Sequence, residues 1–194
     1  MDSPEFTDAR SRRTLLECAP PPLADKARRG IWQIVYFLFF RFSPVPLHGW
    51  RRLLLRLFGA KIGRRTAIYP SARIWAPWNL TVGSSVTVGP DAEVYNVARV
   101  VLGDDVIISQ RAFLCSASHD IRSPDFTLLA GAIAIHPNAW VATEAFIAPG
   151  IMIGESAVVG ARSVVTRDVE ARAIVSGNPA KVSGIRPADA RNVL

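Results

Sequence analysis

The chain has 194 residues, with 23 Lys and Arg against 16 Asp and Glu, two cysteines and three histidines. That length is one domain's worth and buries a sizeable core, and Cys18 and Cys115, so differently placed, give no case for a disulfide, which suits a cytosolic protein. Residues 1–65 hold thirteen Lys or Arg against five Asp or Glu while residues 66–194 hold ten against eleven, and this neutral majority, with no recognition motif, argues against nucleic acid as a partner.

Residues 1–26 are polar and Pro-rich around Pro20, Pro21 and Pro22, the composition of a flexible arm, and no signal peptide is evident there. Residues 27–60 read as an amphipathic helical segment. Within it, residues 31–42 are nearly all apolar, interrupted by Gln33 and Arg41, but a bilayer-spanning helix needs about 20 residues. After Pro44 and Pro46, residues 47–58 predict a second helix with Trp50, Leu53, Leu54 and Leu57 towards one side and Arg51, Arg52 and Arg56 towards the other. Such a helix lies in a membrane interface, giving residues 31–58 a peripheral contact at the inner face of the cell membrane, or it caps the open end of the repeat on its C-terminal side. One pair of helices can do both.

That repeat occupies residues 61–182. Ile135, Val141, Ile147, Ile153, Val159, Val165 and Ala171 recur every sixth position, and the position four further on is also apolar or small, from Ala139 and Ala145 to Val175. No helix has that period and a plain strand alternates every two residues, so each hexad is a short strand and a corner. Three hexads close one turn of a triangular prism, a parallel β-helix with Ile135 under Ile153 and Val141 under Val159. The same signal runs back through Leu102, Ile108 and Leu114, then Val82, Val88 and Val94, then Ile62, Ile68, Ile74 and Leu80, with two-residue slips between blocks. From Leu114 to Ile135 about fifteen residues exceed one hexad, so residues 116–131 leave the prism as an inserted loop. Residues 183–194 form a tail.

Periodicity does not fix the hand of the coil. Hexads such as Ile153-Gly154-Glu155-Ser156-Ala157-Val158, and the ending Val165-Thr166-Arg167-Asp168-Val169 with Gly177-Asn178-Pro179-Ala180-Lys181-Val182, resemble the hexapeptide-repeat acetyltransferases of the maltose, galactoside and nodulation group. Pro77-Trp78-Asn79-Leu80, Tyr95-Asn96, Ile108-Ser109-Gln110 and Ser118-His119-Asp120 resemble the colanic-acid-type exopolysaccharide members most. The resemblance implies a mainly β fold, a left-handed parallel β-helix with N-terminal helices. It also implies a homotrimer with its sites between prisms, acetyl-CoA as acyl donor, and a saccharide acceptor modified by O-acetyl transfer. An N-acyltransferase acting on an amine, or a noncatalytic β-helix scaffold, are the alternatives.

His119, at the start of the inserted loop, is the candidate base, since a sugar hydroxyl needs one and imidazole has a suitable pKa. An isolated loop histidine is otherwise a surface residue; the resemblance makes it catalytic. Its second ring nitrogen needs an acceptor, Asp120 or a backbone carbonyl. By the same resemblance Asn96, two coils or so earlier, positions the acceptor, and Trp140 lines the site near the donor. Outward backbone groups between residues 142 and 166 can carry a pantetheine arm, with Ala142, Gly160 and Ala161 keeping that surface low. By the same resemblance Arg162, Thr166, Arg167 and Lys181 bind the donor at its far end, the alternative being solvated surface charges, and Arg167 stands in place of a more usual Lys. A covalent route through Cys18 or Cys115 is disfavoured, because one lies in the arm and the other in no nucleophile motif. With His48, His119 and His136 scattered, no metal site is expected.

Overall fold

Short strands separated by tight corners recur from Lys61 to Ser176 in the computed structural model, which describes residues 15–18 and 22–187. The corners need backbone in the left-handed region, and side-chain-bearing residues adopt it: Arg65, Ser85, Asp105, Asn138, Ser156 and Arg172 at one edge, Asp91, Arg111, Glu144 and Arg162 at another. Each such residue costs about 1–2 kcal/mol. The cost is offset because its N–H donates to a corner carbonyl one coil below, as from Ser85 to Arg64, Asp105 to Ser84, Asn138 to Asp104, and Glu144 to Gln110.

The strands stack into three flat faces. The first holds Lys61–Ile62, Leu80–Val82, Val100–Leu102, Ile133–Ile135 and Met152–Ile153; the second, Ala67–Ile68, Thr87–Val88, Ile107–Ile108, Trp140–Val141, Val158–Val159 and Ala173–Ser176; the third, Arg73–Ile74, Glu93–Tyr95, Phe113–Cys115, Phe146–Ile147 and Val164–Val165. All neighbours within these rows are parallel, and the result is a left-handed parallel β-helix. Ile135 stacks on Ile153 and Val141 on Val159, as the hexads require. Ile62 pairs with Val82 and Val82 with Leu102, so the two lower coils carry two extra residues each, lodged between the third and first faces, where Pro77–Asn79 forms a 3-10 turn. Inward residues such as Ile68, Ile108, Leu114, Ile135, Ile147 and Ile153 are fully buried and form one continuous core along the axis.

The inserted segment is not an open loop. Ala117–His119 and Leu128–Ala130 pair as an antiparallel hairpin, and Leu16–Glu17 adds a third strand to its free edge. The N-terminal arm is therefore ordered at residues 15–18, contrary to its composition, because the hairpin offers unpaired backbone groups to Leu16 and Cys18. Residues 1–14 and 19–21 of that arm lie outside the described residues. Nor does the sheet stop at residue 182. Lys181–Ile185 folds back antiparallel on Ala173–Ser176 and ends the second face at the upper end, and only residues 186 and 187 of the expected tail are described beyond it.

The lower end is closed by α1 (Leu23–Val35), which runs on through a π-helical turn at Tyr36–Phe40, and α2 (His48–Leu57). The cap works differently from what the amphipathic pattern suggests. Arg51 is fully buried and donates to the carbonyls of Ile68, Pro44 and Val45; Arg52 donates to Thr66 and Arg56 to Ile62. The Trp32 indole reaches the carbonyl of Ile74 at 2.8 Å. These donors meet the edge carbonyls that the first coil would otherwise leave unpaired. Leu54 and Leu55 follow the arginines inward, whereas Trp50, Leu53 and Leu57 face outward.

Candidate active site

His119 ends the first hairpin strand, directly opposite Leu128. Opposed residues of an antiparallel pair project from the same face, so His119, Leu128 and the neighbouring Cys18, whose N–H donates to the Leu128 carbonyl, form a row on one side of the small sheet. The ring nitrogen Nδ1 of His119 lies 2.6 Å from the carbonyl oxygen of Phe126. A carbonyl only accepts, so Nδ1 carries a proton, and in the neutral ring the lone pair is on Nε2. The orienting group is thus the backbone and not Asp120. That carboxylate accepts from the Arg122 backbone N–H and guanidinium, which hold it below the usual carboxylate range. Phe126 presents its carbonyl from a left-handed residue with φ 47°, held by its own N–H to Ser123.

The hairpin faces a cleft of about 360 Å³ lined by Cys18, Asp25, Arg29, Trp75, Trp78 and Tyr95, among others, with Leu128 on the hairpin side. Trp75 and Tyr95 pack with ring centroids 5.2 Å apart, Arg28 lies over the Trp78 ring at 4.2 Å, and Arg29 is paired with Asp25 at 3.2 Å. Sequence reasoning missed Asp25, Arg29 and Trp75. Trp75 stands just before the Pro77-Trp78 motif and Asp25 inside the presumed arm, and their nearness has meaning only once α1 is laid against the corner.

Asn96 is one coil below the hairpin rather than two, since Tyr95 pairs with Cys115 and the Ser116 N–H donates to the Tyr95 carbonyl. It is fully buried. Its Oδ1 accepts from the Ala76 N–H at 2.9 Å and its Nδ2 donates to the Ala76 carbonyl at 2.6 Å, so the amide fastens the corner beneath the cleft. Cys115 donates to the Ala117 carbonyl, and burial pushes its thiol above the ordinary range, the wrong direction for a nucleophile. Among the described residues no group of three His, Cys, Asp or Glu could hold a metal ion.

The expected donor positions divide between the two edges of the third face. Ala142, Gly160, Ala161 and Arg162 follow second-face strands and lie on the edge where the second and third faces meet. Trp140 stands outward beside them, 44 % exposed, with its indole N–H on Ser109 Oγ. Gly160 is tight there, since a Cβ would approach Ser176 to 3.1 Å, and Lys181 lies opposite Ser176. Thr166 and Arg167 follow Val164–Val165 and share the other edge, between the third and first faces, with the hairpin of His119. Within one chain the two groups are separated by the width of a face, roughly 15 Å, four or five extended residues at about 3.3 Å each.

A parallel prism with an oriented histidine on an inserted hairpin defines the class of β-helical acyltransferases. Among solved structures the fold matches a maltose O-acetyltransferase of Clostridium difficile, at TM-score 0.77 and 24% identity over 86% of this chain and 90% of that one. It also matches a hexapeptide-repeat acetyltransferase of Vibrio cholerae O1 biovar eltor solved with acetyl-CoA, at TM-score 0.74 and 22% identity over 85% and 88%. No family model matches the chain. A curated protein of Escherichia coli (strain K12), which carries the provisional name colanic acid biosynthesis acetyltransferase WcaF, is 45% identical over 152 residues, 78% of this chain and 84% of its own. The chain belongs to the hexapeptide-repeat acetyltransferase family, in the group represented by WcaF, and is an acyltransferase.

Proposed function

We propose that the protein transfers an acetyl group from acetyl-CoA to a hydroxyl of a saccharide in exopolysaccharide synthesis, working as a homotrimer at the cytoplasmic face of the cell membrane. The observation that carries the chemistry is the Nδ1 contact of His119 to the Phe126 carbonyl, which in the neutral ring leaves Nε2 as the acceptor, on a residue paired with Leu128 of the cleft wall. Nε2 takes the hydroxyl proton as the sugar oxygen attacks the thioester carbon, the carbon–sulfur bond breaks, and the imidazolium returns the proton to the departing thiolate. Backbone N–H groups stabilise the oxyanion. Trp75, Trp78 and Tyr95 give the cleft flat apolar surfaces for the C–H faces of a sugar, with Asp25 and Arg29 beside them for its hydroxyls. The division of donor positions between two edges supports the trimer. Apposing the second–third edge of one prism to the third–first edge of the next supplies both halves of a site.

The test is transfer of labelled acetyl from acetyl-CoA into a saccharide acceptor by the wild type and by His119→Ala. The variant is expected to lose about 10²–10⁴-fold in kcat while still binding CoA, and the product label is expected to leave in mild base, as an ester does. Undiminished transfer by the variant would sink the role of His119. A base-stable product would move the acceptor from a hydroxyl to an amine.

A further inference from the structure

The helical cap turns Arg51, Arg52 and Arg56 inward beside Trp32, Phe40, Leu54 and Leu55, and among the described residues a second apolar surface of the cap is left exposed. Ile34, Leu38 and Phe42 continue one stripe along α1 and the π-helical turn, and Trp50, Leu53 and Leu57 make another along α2, all of them 40–71 % exposed. The Trp50 indole N–H donates to the Phe39 carbonyl at 2.9 Å, tying the two stripes into one surface. An apolar patch of this extent marks an interaction site. No helix among the described residues is long and apolar enough to cross a membrane.

Charge identifies the occupant. From Lys26 to Pro90 the chain contains eleven Lys and Arg and not one Asp or Glu. Arg51, Arg52 and Arg56 are turned towards the first coil, while Lys26, Arg41, Arg64 and Arg65 are exposed. A second copy seated on the patch would bring the same excess of positive charge against it. An anionic surface would be attracted. We infer that this end of the molecule docks in the interface of an anionic lipid bilayer, with α1 and α2 lying in the headgroup region and the prism standing away from it. The inference rests on the membrane placement proposed above and gives that placement a face and a lipid class.

Flotation of the full chain with vesicles of phosphatidylcholine alone, or of phosphatidylcholine with phosphatidylglycerol, tests it. Wild type is expected to float with the anionic vesicles, less so as salt rises, and a Leu53→Ser/Leu57→Ser double variant to lose at least about tenfold in partition with an unchanged melting temperature. Arg41→Glu is expected to weaken binding to the anionic vesicles alone. Failure of the folded wild type to float, or equal flotation by the double variant, overturns the docking. So does a dimer in sedimentation velocity that the double variant abolishes, since a second copy would then be the cover. Acetyl transfer to a soluble saccharide, measured on the same samples, separates the two readings: transfer without flotation leaves the enzyme standing and removes the docking, and flotation without transfer does the reverse.

Discussion

The two edges of the third face bound the same strands and are built differently. The second–third edge is regular: Arg111, Glu144 and Arg162 repeat a left-handed residue coil after coil, and Ala142, Gly160 and Ala161 beside them are small. The third–first edge is where the insertions collect, namely the 3-10 turn at Pro77–Asn79, the extra residues after Asn96, and the hairpin that carries His119. A stacked repeat tolerates insertions at a corner because only corner residues are displaced while the strands on either side keep their register. Concentrating them on one edge builds a cleft there and leaves the other edge smooth enough to be a track for a long, narrow ligand.

If the edges work together only across a subunit boundary, mixing inactive chains should restore activity. His119→Ala removes the proposed base from one edge, and Ala161→Trp blocks the proposed donor track on the other. Each alone is expected to be inactive, yet their co-expressed mixture should recover about a quarter of wild-type activity, the fraction of intact sites in randomly assembled rings. No recovery would mean that one chain makes the whole site. Next in size is Asn96→Ala. It strands the N–H and carbonyl of Ala76 inside the irregular corner, with an expected loss of about 2–4 kcal/mol and a melting temperature lower by roughly 5–10 °C in a thermal melt. A change in acceptor KM with unaltered stability would instead give Asn96 a direct contact with substrate. The smallest effect separates two arginines. Arg162 is already held by Glu144 at 2.6 Å, and this guanidinium keeps the carboxylate charged to below the usual range, so the pair persists at neutral pH. Arg167→Ala is therefore expected to raise the KM for acetyl-CoA about three- to tenfold, and Arg162→Ala much less; the reverse order would put the donor phosphates on the regular edge.

The stacked strands were the legible part. A six-residue period reports which residues stack, because each coil meets its neighbour at the same place in the repeat, and so Ile135 under Ile153 and the excess after Leu114 could both be read directly. His119 was legible as a motif, but its partner was not, since the Phe126 carbonyl depends on how the hairpin closes. Amphipathic spacing showed that the second helix had two sides without showing which would turn inward. That choice was made by unpaired carbonyls at Ile62, Thr66 and Ile68, which only the assembled first coil presents. Leu16–Glu17 pairs for the same kind of reason, through an edge that its own neighbours in sequence do not supply.

Those carbonyls also bear on how long the object can be. A stack of parallel coils has no built-in length, because every exposed end is a template for the next layer, and two such ends meeting would begin a filament. At the lower end growth is stopped by side chains: guanidinium and indole groups fill the acceptor positions that an incoming strand's N–H groups would need. At the upper end it is stopped by a strand of the opposite direction, Lys181–Ile185, which ends the parallel register. The molecule's finite length is thus written into its two terminations rather than into its repeat.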